Sequence, residues 1–139
     1  MTADGFHKEK RIRTCTDAPS GQLLLGIRQF NSRQWYECHE TVELLWMKEE
    51  GELRPFYQGL IQLAIAQLHW RNDNFKGAMA LLAGGTDYLK QVPSPCQWVD
   101  LTGLIKQAEA LQAALQQLGA EQMSCLDQGL LLKIQTIPV

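Results

Sequence analysis

The stretch from Arg54 to Arg71 constrains this chain most. It holds Phe56, Tyr57, Leu60, Ile61, Leu63, Ala64, Leu68 and Trp70, and no Lys, Asp or Glu lies between its two terminal arginines. Pro55 sits where the first turn of a helix would be, a position at which a missing N–H costs nothing. The spacing predicts a helix ending at Trp70 or Arg71. A helix apolar on most sides is stable only when other helices surround it. The chain must therefore supply those neighbours, and the expected fold is an all-α helical bundle of about five helices.

The neighbours are readable on either side. Ser20 is a suitable N-cap for a helix through Phe30, with Leu24, Ile27 and Phe30 inward. Asn31 with Gln34 three residues on matches a capping box, so a second helix is expected from Ser32 to Glu49, stopping near Gly51. Asn72-Asp73-Asn74 reads as a turn, with Asn74 capping a fourth helix through Lys90. Gly77, Ala78 and Ala80 would let another helix approach closely, while Gly84-Gly85 weakens the middle by about 1 kcal/mol per glycine relative to alanine. Pro93-Ser94-Pro95 breaks the chain. Ser94 then caps a fifth helix whose stripe is Leu101, Leu104, Ala108, Leu111, Leu115 and Leu118, closed by Gly119. Short connections make neighbours antiparallel. The expected organisation is a flexible lead over 1–19, a bundle domain over 20–119 built around the hairpin of the second and third helices, and an extended tail over 120–139. The tail should lie across the bundle or pair with a second copy.

Composition enters as a set of exclusions. The 139 residues are 45% hydrophobic and 20% charged, with net charge −2. That is one globular domain, with no global pull toward nucleic acid. No apolar run reaches the length of a membrane span, and residues 1–20 lack the pattern of a secretory signal. The short basic cluster from His7 to Arg13 reads as a solvated tail. Cys15, Cys38, Cys96 and Cys125 are widely spaced, without a C-x-x-C pair or zinc-finger spacing. A disulfide framework is not expected in a chain with this much apolar material, and the default location is a reducing cytoplasm.

The chemistry-bearing residues concentrate on two helices. With Trp35 at zero on a wheel of about 100° per residue, His39 falls at about +40° and Glu43 at about +80°, at the edge of the buried face. They are i and i+4 neighbours. Trp46 and Tyr36 flank them, and Glu40 points further toward solvent. On the third helix Arg54, Gln58, Gln62 and His69 fall within about 80° of each other. A water-facing stripe usually carries lysines and carboxylates; amides, arginine and histidine suggest a stripe that faces protein or a cavity. In an antiparallel hairpin Glu43 comes level with Gln58 and Gln62, His39 with Gln62, and Arg54 with Glu49. His69 lies about a turn beyond His39.

Phe30-Asn31, Tyr36-Glu37-Cys38-His39-Glu40, Glu43, Trp46, Arg54, Gln58-Gly59-Leu60-Ile61-Gln62-Leu63-Ala64, His69, Asn74 and Gly77-Ala78 together resemble a bacterial and archaeal family of small helical proteins, domain of unknown function 309. The resemblance covers about residues 24–90, and its marker is His39, Glu43 and Trp46. It implies a helical bundle and a metal-binding role for the His/Glu motif, and no particular reaction.

The readings compete on chemical grounds. A divalent metal ion is the candidate cofactor, with His39 and Glu43 as ligands from one helix face. Against it stands the ligand count, because amides are poor ligands and His69 is distant. A structural network of His39, Glu43, Arg54, Gln58 and Gln62 would fix the hairpin register. A small-molecule pocket could use His39 as a base oriented by Glu43, although no nucleophile stands beside it and Cys38 is on the core side. Four tryptophans (Trp35, Trp46, Trp70, Trp98) and the leucine-rich fifth helix offer material for a homodimer or partner interface.

Overall fold

The computed structural model describes residues 13–138. Five α-helices form the bundle: α1 (Gly21–Asn31), α2 (Trp35–Lys48), α3 (Leu53–Arg71), α4 (Phe75–Leu89) and α5 (Leu101–Leu118). As the carboxylate-free stretch requires, α3 is central. It packs against α2 on one side and α4 on the other, α1 covers α2, and α5 covers α4. Leu53, Phe56, Leu60, Leu63, Ala64 and Ala66 of α3 are all essentially inaccessible.

The tightest seam is between α3 and α4. A Cβ on Gly59 would strike Leu89 and approach the Gly85 carbonyl oxygen at 3.0 Å, and one on Gly85 would strike Leu63. These glycines trade helix propensity for close backbone approach. Gly84 likewise leaves room for the Gln62 side chain.

The turns between α1 and α2 and between α3 and α4 are built alike. Arg33 (φ 63°) and Asp73 (φ 60°) each take the left-handed conformation, and Gln34 and Asn74 return their N–H groups to the carbonyls of Gln29 and His69. The Asn31/Gln34 capping box does not form, and α2 starts at Trp35 rather than Ser32. Asn31 ends α1 instead. Its amide donates to the Ile134 carbonyl at 3.0 Å and accepts from the Ile134 N–H at 2.7 Å. Ser20 and Asn74 do cap α1 and α4 through Leu23 N–H and Gly77 N–H. Gly51 is not in the left-handed region; among described glycines only Gly119 (φ 79°) is, at the end of α5.

The fifth helix starts at Leu101 with Asp100 as N-cap, not at Ser94. Residues 95–100 form a turn with a cis Ser94–Pro95 bond and a Cys96–Val99 bridge. Ser94 still serves the helix from a distance: its hydroxyl accepts from the N–H groups of Leu101 and Thr102, both at 3.1 Å.

Contrary to expectation, Cys15 and Cys96 form a disulfide. Residues 13–15 of the expected flexible lead are thus tied down, with Gln97 N–H donating to the Cys15 carbonyl at 2.7 Å. Cysteine spacing hides such a bond because the partners meet only after four helices have folded. The absence of disulfides had been the basis for a reducing location, and that basis is gone. The basic cluster lies almost entirely outside the described residues. Among the described residues no helix is long and apolar enough to cross a membrane.

The tail is extended only from 131 onward. Residues Ala120–Cys125 and Gln128–Leu130 are 3-10 turns. Leu131, Leu132 and Ile134 are buried on this chain's own bundle, and Val99 bridges to Thr136. Of the two placements open to it, the tail takes the one across the bundle.

Candidate functional site

The motif stripe of α2 forms because residues 39, 43 and 46 recur at helical spacing. His39 Nε2 and Glu43 Oε1 are 2.6 Å apart, and the two side chains are 29% and 42% accessible. The Tyr36 ring lies 5.9 Å from the imidazole, tilted by 53°. The carboxylate on Nε2 leaves Nδ1 as the inward nitrogen, and Nδ1 is buried with no hydrogen-bond partner. Tyr36 and Glu40 are exposed.

The other candidates do not gather around this couple. Arg54 sits at the turn end of the α2–α3 hairpin, where the sequence placed it beside Glu49. Its guanidinium stacks 4.0 Å over the Trp46 ring, and Nη1 donates to the carbonyls of Glu49 at 2.8 Å and Trp46 at 3.4 Å. Gln58 joins Trp46 and Arg54 in the wall of a cleft. Gln62 faces Gly84 of α4, and its Oε1 is buried without a partner. His69 is at the opposite end of α3, where Nδ1 lies 3.2 Å from the Asn74 amide nitrogen. The network expected to cross from His39 and Glu43 to Arg54, Gln58 and Gln62 is therefore absent among the described residues. Matching levels along the hairpin was not enough: Gln62 turns toward Gly84 of α4 and Gln58 toward the cleft shared with α4, while His39 and Glu43 pair within α2.

A metal ion does not fit the donors present. A structural or catalytic zinc-type site takes at least three good protein ligands. Among the described residues no group of three or more His, Cys, Asp and Glu side chains converges. His39 and Glu43 supply two donors and already bind each other. Cys38, next in sequence, is 1% exposed, and burial pushes its thiol up to about 12. It is a protonated packing group at neutral pH, since the thiolate is the reactive form.

Sequence reasoning missed one part of the site. The cleft of about 230 Å³ is completed by Tyr88 and Gln91 from the end of α4. The Gly84-Gly85 pair was the available signal: glycines that let α4 approach α3 also bring the end of α4 over Arg54 and Gln58.

Sequence comparison with known proteins places the chain as follows. Residues 23–81 match the family described as Domain of unknown function (DUF309). The uncharacterized protein YpuF of Bacillus subtilis (strain 168) is similar to this chain, 37% identical over 60 residues. That match covers 42% of this chain and 34% of the relative, so the chain spans about a third of the curated relative it matches. The matched segment runs from α1 into α4 and contains the whole His39, Glu43, Trp46 and Arg54 stripe. Over residues 23–81, this chain is similar to the domain of unknown function 309 family.

Proposed function

We propose that the protein works as a helical recognition module, with the outer face of α2 as its contact surface and the His39–Glu43 couple as the polar edge of that surface. One observation carries this reading. The couple bonds within its own helix and opens to solvent, and Tyr36, Leu44 and Met47 on the same helix are 52%, 54% and 62% exposed. Tyr36, Glu40, Glu43, Leu44 and Met47 fall within about 100° of the helix wheel. Large apolar side chains left exposed beside an oriented polar pair are the anatomy of a contact patch. As a structural device the couple is weak: a partly exposed i, i+4 pair contributes about 0.3–0.5 kcal/mol.

Charge selects the partner. The face carries Glu37, Glu40 and Glu43 against Lys48 alone. A second copy would bring like charges together, and a single α2 face falls well short of the roughly 800 Å² per partner in stable interfaces. The occupant is instead a basic amphipathic helix of another protein, held transiently. The experiment is an NMR titration of the labelled chain with a synthetic amphipathic Lys/Leu helix. A Glu/Leu helix is the control. Saturable shifts along Tyr36–Met47 with the basic helix alone, lost in Leu44→Asp, are expected. Shifts centred elsewhere refute the reading, and light scattering showing a dimer abolished by Leu44→Asp would replace the basic partner by a second copy.

A further inference from the structure

Apart from the α2 face, two concave sites among the described residues have no assigned role: one lined by Met79, Glu109, Gln112, Ala113 and Gln116, and one around Arg54, whose partly unpaired guanidinium singles it out. Trp46 at the end of α2, Arg54, Pro55 and Gln58 at the start of α3, and Tyr88 and Gln91 at the end of α4 line an open cleft of about 230 Å³. We propose that this cleft binds a small planar monocarboxylate, gripped by the open edge of the Arg54 guanidinium and stacked between Tyr88 and Pro55.

The guanidinium is held in place before any ligand arrives. Stacking on Trp46 fixes its plane, and the bonds from Nη1 to the Glu49 and Trp46 carbonyls fix its rotation. A guanidinium has five N–H donors, and those on Nη2 and Nε bond to nothing among the described residues. No described carboxylate lies within ion-pair distance of Arg54. A planar donor fork, fixed on one edge and open on the other, matches a carboxylate in two-point contact. The remaining polar groups are uncharged: the Gln58 amide, the Gln91 amide and the Tyr88 phenol.

Size and charge narrow the ligand. Pockets for drug-sized molecules run from about 300 to 1,000 Å³, so this cleft takes one ring and little more. Trp46, Pro55 and Tyr88 make its walls flat and apolar, which suits an aromatic body. A phosphate or polyacid would meet a single cation, and Glu49, Glu50 and Glu52 line the adjoining turn. One negative charge matches one guanidinium.

The test is an NMR titration of the full chain with benzoate, nicotinate and the neutral isostere benzamide. Saturable shifts are expected at the Trp46 indole N–H and the Gln58 and Gln91 amides, with benzamide at least about tenfold weaker because it forgoes the charge-assisted bonds. Arg54→Gln should abolish the preference for the acid. Arg54 also bonds carbonyls at the end of α2, so that variant can fail to fold. Tyr88→Ala, at a residue 36% exposed, should then weaken benzoate several-fold at an unchanged melting temperature. The proposal is overturned if neither acid saturates, if benzamide binds as tightly as benzoate, if the shifts centre elsewhere, or if a folded Tyr88→Ala binds as the parent does. Leu44 and Met47 lie outside the cleft, so their resonances report the α2 face separately.

Discussion

Two groups of polar side chains in this protein differ in what they bond to. Asn31, Gln67 and Gln107 each reach backbone far along the chain. Asn31 exchanges two bonds with Ile134, Gln67 donates to the Leu63 carbonyl and accepts from Leu132 N–H, and Gln107 exchanges two bonds with Lys133. His39, Glu43, Gln58 and Gln62 make no such bond between elements. His39 stays within α2, and Gln62 Oε1 has no partner. Side chains that lock a fold satisfy backbone groups that would otherwise be buried unpaired. His39, Glu43, Gln58 and Gln62 satisfy none, so the fold does not account for these four.

The contrast can be broken at several points. The largest effect belongs to the staple that holds the turn before α5, to which the tail is bonded. Cys15→Ser with Cys96→Ser should cost about 4 kcal/mol in urea unfolding, from the entropy of an open loop of 81 residues in the unfolded chain. A loss under about 1 kcal/mol would mean that the polar bonds hold the tail alone. Gln67→Ala should cost about 2–4 kcal/mol, since it opens a cavity and strands a buried N–H. Asn31→Ala should cost about 1–2 kcal/mol and raise hydrogen exchange at Ile134 selectively.

On the motif side the figures are smaller. His39→Ala should change stability by about 0.5 kcal/mol or less, below the roughly 1–3 kcal/mol that stranded partners in a cross-hairpin network would give. A large loss would return the couple to a structural role. The smallest effect at neutral pH is that of Cys38. Its thiol is pushed from 9.0 up to about 12 by burial. The unfolded thiol ionises first, so the group costs nothing below about pH 9. Stability then falls as pH rises toward 12, by up to about 1.4 kcal/mol per unit. Cys38→Ala should flatten that part of the alkaline profile, leaving the share of Tyr57, also raised to about 12 by burial and by Glu49. In the native protein at neutral pH a thiol reagent should find Cys125, which is exposed, and miss Cys38.

Much of the fold was legible because helical periodicity and capping are local. Ser20 and Asn74 cap the helices their positions suggested, and the carboxylate-free run of α3 marked the centre of the bundle. The start of α5 was misread because Ser94-Pro95 carries a sound local capping signal. Its hydroxyl caps the helix only after a cis bond and a bridged turn place it there. Asn31 was misread for the same kind of reason, since its partner is 103 positions away. At the site, the shared face of His39, Glu43 and Trp46 was legible. So was the separation of His69, whereas the contribution of Tyr88 and Gln91 was not.

The sequence by itself determined the helices, the central place of α3 and the face on which the motif lies, because each follows from spacing along one segment. Tertiary structure alone decided the Cys15–Cys96 bond, the docking of the tail and the closure of the cleft over Arg54. Each of these depends on how closely separate helices approach. For the cleft, that distance is set by Gly59 and Gly85 meeting across the α3–α4 seam, a contact with no periodic signature in the chain.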